Sequence, residues 1–110
     1  MLSVIIVAKN EAHNIVDCVH SCSFADEILV FDSGSIDGTV DLARQAGAKV
    51  IETDWPGYGP QQQRGIVAAS GEWVLSLDAD ERISPELQQE ILQAIARPLA
   101  DGYRLPRLST

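Results

Sequence analysis

The sequence predicts an α/β fold: a doubly wound, mostly parallel sheet in a three-layer α/β/α arrangement. Three observations lead there. Short apolar, β-branched runs alternate with stretches of helical apolar spacing, in the order β-α-β-α-β-α-β-α. Each run halts at polar residues: Lys9–Asn10–Glu11, Asp32, Glu52, and Asp78 with Asp80. Right-handed crossovers would gather those strand ends on one sheet edge, where α/β folds bind ligands.

Residues 2–8 are apolar on both faces, as in a central parallel strand covered on both sides. Asn10 is a candidate N-cap for the helix that follows, and Glu11 suits its positive start. Ile15, Val19 and Cys22, with Cys18 beside them, give that helix its apolar face. Residues 28–31 form the second strand, ending at Asp32. The loop 33–38 is rich in Ser and Gly. Asp37 is a candidate cap for a helix over residues 39–46, which Gly47 closes. Val50 and Ile51 make a short third strand. Pro and Gly between residues 54 and 60 predict a loop, followed by a helix over residues 61–69. The fourth strand starts at Trp73 and runs into Asp78–Ala79–Asp80–Glu81. Ser84, Pro85 and Glu86 then supply an N-cap, a first-turn proline and a first-turn acid. Leu87, Ile91, Leu92 and Ile95 form one face of the last helix, which Pro98 ends. Residues 102–107 read as the start of a further strand.

The chain has 110 residues and a formal charge of −8. That argues against a nucleic-acid binder, which normally carries a basic face. It is compatible with a nucleotide ligand, because a metal and backbone N–H groups can supply positive charge. No apolar run approaches the roughly 20 residues of a membrane span. Residues 2–8 lack the flanking charge of a signal peptide, so a cytoplasmic address is expected. Cys18 and Cys22 are expected to be packed thiols.

Asp78 and Asp80 admit two readings: a solvated acidic turn, or a divalent metal site in which both carboxylates reach one hard cation. Their place at the end of an apolar strand favours the metal. Asp32 is either the acceptor of its own Asx turn or a carboxylate that receives a ligand N–H or hydroxyl. Asp37 reads better as a helix cap than as a ligand contact. Gly34 and Gly38 either let the backbone approach a ligand or serve turn geometry. Glu11 could touch a sugar or base, or serve the helix start. Arg64 could face phosphates or solvent. His13 and His20 lack metal-ligand company. No Ser-His-Asp arrangement and no G-x-G-x-x-G signature is present.

At these residues the chain resembles a family 2 glycosyltransferase of the GT-A type. The match rests on residues 3–11, on Asp32–Ser33–Gly34–Ser35–Ile36–Asp37–Gly38–Thr39, on Gly65 with Gly71–Glu72–Trp73, and on Leu77–Asp78–Ala79–Asp80–Glu81. Within the family it is similar to bacterial lipopolysaccharide-core β-1,4-glucosyltransferases, through residues 55–61, 78–83 and 102–107. The resemblance implies the Rossmann-like nucleotide-binding half of a GT-A domain over residues 1–110, cut short at its C-terminus. It implies inverting transfer of a sugar from a nucleoside-diphosphate donor, UDP-glucose first among candidates, to a saccharide or lipid-linked acceptor. Asp32 would bind the nucleobase. Ala8, Asn10, Glu11, Gly34, Arg64, Asp78 and Ala79 would complete the donor site. Asp80, with Asp78, would ligate Mg2+ or Mn2+. Peripheral membrane association and self-association through an open sheet edge are further expectations.

Two departures stand out. Gln62 is neutral where the family usually carries Lys or Arg. The family's catalytic base is an acid of the acceptor half, expected beyond Thr110, so no residue here takes that role. A non-catalytic nucleotide-binding module is therefore the alternative. A phosphoacceptor receiver-like domain ranks below both, because Ala8–Lys9–Asn10 and Glu52–Thr53 replace the acids it needs.

Overall fold

The computed structural model describes residues 2–54, 57–68 and 73–96. Four strands, β1 (Leu2–Ala8), β2 (Glu27–Asp32), β3 (Lys49–Glu52) and β4 (Trp73–Asp78), alternate with α1 (Ile15–Ser21), α2 (Thr39–Gln45), α3 (Tyr58–Ala68) and α4 (Pro85–Ala96). The sheet order is β3-β2-β1-β4 and every pairing is parallel. The doubly wound reading therefore holds. The chain builds outward from β1 to β3, then crosses back to place β4 on the other side of β1. The β1/β4 boundary is the point where winding reverses, and there a crevice opens at the strand ends.

Strand alternation sorts the core into two faces. Val4, Ile6, Ala8, Val30, Leu75 and Leu77 pack with Ile15, Cys18 and Val19 of α1, Ala43 of α2 and Ile91 of α4. Ile5, Leu29, Phe31 and Val74 form the opposite face, with Ile66 of α3 against them. The complete burial of β1 thus reflects cover on both sides. Both cysteines are free and buried, as expected of packed thiols.

Several boundaries differ from the sequence expectation. Helix α3 begins at Tyr58 rather than residue 61. Pro60 lies in its first turn, where a backbone N–H needs no helical partner, so proline is tolerated. Helix α1 is capped at Asn14, not Asn10. The N-cap of α2 is Gly38 in the left-handed region (φ 91°), not Asp37. Asp37 instead accepts the Thr39 N–H at 3.2 Å from one residue further out. Ser84 does cap α4, accepting the Leu87 N–H at 3.1 Å. Pro98 and the strand expected at residues 102–107 lie outside the described residues, as does the Trp55–Pro56 step.

Helix α3 comes very close to β1. A Cβ at Gly65 would overlap the Ile5 side chain, so only glycine fits there. Gly65→Ala is expected to destabilise the fold by about 1–3 kcal/mol through overpacking. Urea unfolding measures this, and a loss below about 0.5 kcal/mol would mean the helix shifts freely.

One turn earlier, Gln61 is fully buried. Its amide nitrogen has no hydrogen-bond partner, and its Oε1 receives a long 3.4 Å bond from Arg64. A buried amide left half-satisfied costs stability, so Gln61→Met, of similar volume, is expected to stabilise by about 1 kcal/mol. A lowered thermal midpoint would contradict this.

Candidate active site

The ends of β1 and β4 and the loop after β2 line a cavity of about 400 Å³. Val7, Ala8, Lys9 and Glu11 come from β1 and its exit, Ser33 from the loop after β2, and Asp78, Ala79 and Asp80 from the end of β4. The register explains the convergence. Ala8 pairs with Asp32, Asp32 with Glu52, and Val7 with Asp78. The Ala79 N–H continues the ladder onto the Val7 carbonyl at 3.1 Å. Asp80 is the first residue to stand free of the sheet, and it is exposed.

Asp32 is only 1% exposed. Its Oδ2 accepts the N–H groups of Gly34 (3.1 Å) and Ser35 (2.9 Å), while Oδ1 accepts the Ser35 hydroxyl. The carboxylate is thus the internal frame of the 33–38 loop. Gly34 adopts φ 95°, a left-handed conformation that suits glycine. A second clasp joins this loop to the β1 exit. The Asn10 N–H donates to Ser35 Oγ at 2.8 Å, and Asn10 Oδ1 accepts the Ile36 N–H at 2.9 Å. Asn10 sits at φ 53°, which asparagine tolerates better than most residues. The Glu11 N–H donates to Thr39 Oγ1, and the Ala12 N–H to Asp37 Oδ2. Hydrogen bonds from Thr39 and Ala12 hold the Asp37 carboxyl below its ordinary range.

Arg64 lies elsewhere. Its guanidinium pairs with Asp54 at 2.6 Å and donates to Thr53, and it does not line the cavity. The same contacts push the Asp54 carboxyl below its usual range. Lys9 is instead the cation among the described lining residues, facing Glu11, Asp78 and Asp80. In the sequence Lys9 stands at the end of the first apolar run, with nothing beside it that marks a role. Ser33 also lines the cavity, and Glu81 is buried in the turn after β4; nothing in their sequence surroundings assigns either a role. The signal for Glu81 is its place directly after Asp78–Ala79–Asp80.

Cys18 packs under the same turn, its thiol 3.8 Å from the Asp78 carbonyl. Its hydrogen bond with Cys22, together with burial, pushes the Cys18 thiol up, so it stays protonated and inert.

The donor set can be tested against a cation. Asp78 and Asp80 offer hard carboxylate oxygens, which suit Mg2+ or Mn2+. No cluster of three metal-ligating acids, histidines or cysteines occurs among the described residues. Two carboxylates leave most coordination positions to water or to a ligand's phosphates. The residues therefore fit a cation shared with a bound diphosphate, not one caged by protein alone.

An acid-lipped cavity at the winding reversal of a parallel sheet is the arrangement of a nucleotide-binding α/β enzyme domain. Residues 3–107 match the family described as Glycosyl transferase family 2, and the chain belongs to that family. An uncharacterized glycosyltransferase of Rickettsia felis is 42% identical over 103 residues, covering 93% of this chain and 36% of that protein. The lipopolysaccharide core biosynthesis glycosyltransferase LpsC of Rhizobium meliloti is 33% identical over 100 residues, covering 86% and 37%. Glucosyl-3-phosphoglycerate synthase from Mycobacterium tuberculosis, in complex with Mn2+, UDP and glucosyl-3-phosphoglycerate, superposes with a TM-score of 0.66 at 31% identity. That match covers 74% of this chain and 35% of the synthase. The same synthase is known with Mn2+, UDP-glucose and phosphoglyceric acid. The chain thus spans about a third of the length of the relatives it matches. Among the described residues, no helix is long and apolar enough to cross a membrane.

Proposed function

We propose that this chain is the donor-binding part of an inverting glycosyltransferase that takes glucose from UDP-glucose. The acceptor is a saccharide or a lipid-linked saccharide of the cell envelope. Work on such an acceptor places the protein in the cytoplasm, peripheral to the inner face of the membrane. The observation that carries the reading is the cavity between the β1 and β4 ends with Asp78 and Asp80 on its lip.

In this reading the nucleoside lies against Ala8, Glu11 and the loop framed by Asp32 and Gly34. Asn10 holds that loop in place. Asp80 and Asp78 hold Mg2+ or Mn2+ against the diphosphate, with Ala79 fixing their spacing. A cation there neutralises the charge that grows on the diphosphate as the glycosidic bond breaks. Lys9 supplies the fixed positive charge on the phosphate side. Arg64 could do so only by leaving Asp54.

Calorimetric titration with uridine and guanosine diphosphates, each with and without Mn2+, tests the reading. Saturable UDP binding that strengthens with Mn2+, and exceeds GDP binding, is expected. Metal-independent binding, or equal binding of both nucleotides, would contradict the donor assignment.

A further inference from the structure

The acidic turn after β4 contains a buried third acid. Among the described residues β4 is the last strand on its side of the sheet, with β1 as its neighbour. The Ala79 N–H points toward β1, where it meets Val7. Main-chain groups alternate along a strand, so the N–H and carbonyl of Asp78 point the other way, away from β1. Glu81 folds back to meet both. Its carboxylate Oε1 accepts the Asp78 N–H at 2.7 Å, and its own N–H donates to the Asp78 carbonyl at 2.9 Å. Glu81 thus engages both main-chain groups of Asp78. It is 5% exposed. The bond at Oε1 is charge-assisted and offsets part of the cost of burying the carboxylate.

The segment beyond is anchored as well. The Ile83 N–H donates to Ser21 Oγ at 3.1 Å, and Arg82 donates to Asn14 Oδ1 at 3.1 Å. Glu81 is therefore held between β4 and α1, turned inward, whereas Asp80 is exposed at the lip.

We infer that Glu81 is a positioning residue: its carboxylate closes the turn that aims Asp78 and Asp80 at the metal, and it is not itself a ligand. The inference rests on the donor and metal reading above. An acceptor at Oε1 is what the turn needs, and charge is not. Gln offers that acceptor, Ala does not, and Asp is too short to reach.

The test measures Mn2+-dependent UDP binding for wild type, Glu81→Gln, Glu81→Ala and Glu81→Asp, alongside metal-free amide hydrogen exchange at Asp78. Glu81→Gln is expected to stay within about threefold of wild type. Glu81→Ala and Glu81→Asp are expected to lose roughly tenfold of the Mn2+ enhancement, the scale of one unmade buried hydrogen bond. Exchange at Asp78 is expected to stay slow in Glu81→Gln and to quicken in the other two. Should Glu81→Ala misfold, Glu81→Gln still decides. A loss in Glu81→Gln as deep as in Asp80→Ala would make Glu81 a ligand and overturn the inference. So would wild-type metal dependence and slow exchange in Glu81→Ala. If wild type shows no Mn2+ enhancement, the donor reading fails first, and exchange at Asp78 still reports whether Glu81 closes the turn.

Discussion

Asp80→Ala is expected to abolish the Mn2+ enhancement of UDP binding, a loss of at least about a hundredfold, the scale of removing a charged partner of an ion. The electrostatics of the lip explain why the effect should be so large. Glu11, Asp78 and Asp80 face the cavity against Lys9. A diphosphate entering that field is repelled unless a cation enters with it. With two protein carboxylates available, the cation needs the diphosphate as much as the diphosphate needs it. Mn2+ alone should therefore bind weakly, and each ligand should raise the other's affinity by the same factor. Removing Asp80 breaks the shared site from the protein side. Calorimetry on the mutant, with and without metal, checks this. Unchanged metal dependence would mean that the acidic turn is only a solvated surface.

Asp32→Ala is expected to cost about 2–4 kcal/mol of folding stability, because it strips an acceptor from two N–H groups and a hydroxyl in one buried site. The damage should spread. Ser35 Oγ links Asp32 to Asn10, so the loop after β2 and the exit of β1 share one network. Loosening it would blur the cavity wall at Ser33 and Glu11, and UDP affinity should fall with stability. Asp32→Asn keeps an acceptor but turns an amide donor toward donors, so an intermediate loss is expected. Urea unfolding gives the value. A change below about 0.5 kcal/mol would show that the loop does not depend on this carboxylate.

These two sites show what a sequence can and cannot reveal. The places of Asp32 and Asp78 were legible because each ends an apolar run, and the alternation of runs fixes which sheet edge they share. Ser84 was legible because a cap is a local bond across three residues. Asn10 was not. It looks like a helix cap, yet its partners are Ser35 and Ile36 across the next loop, and its backbone is left-handed. Nothing near Asn10 in sequence announces that clasp. The pairing of Arg64 with Asp54 was hidden for the same reason: the two stand ten residues apart in sequence and meet only in the fold. Glu81 was hidden differently: its position beside Asp78 and Asp80 does not announce that it bonds both main-chain groups of Asp78. Local bonds and periodicity thus carried the fold. Contacts between loops, which complete the site, required the topology first.

The central claim is that the end of β4 holds a divalent cation against a bound diphosphate. Anomalous scattering from a crystal grown with UDP and Mn2+ tests it most directly. The account predicts one manganese peak within roughly 2.5 Å of an Asp80 carboxylate oxygen, in contact with the diphosphate. Bound UDP with no manganese at Asp80, or with manganese held elsewhere, would contradict it.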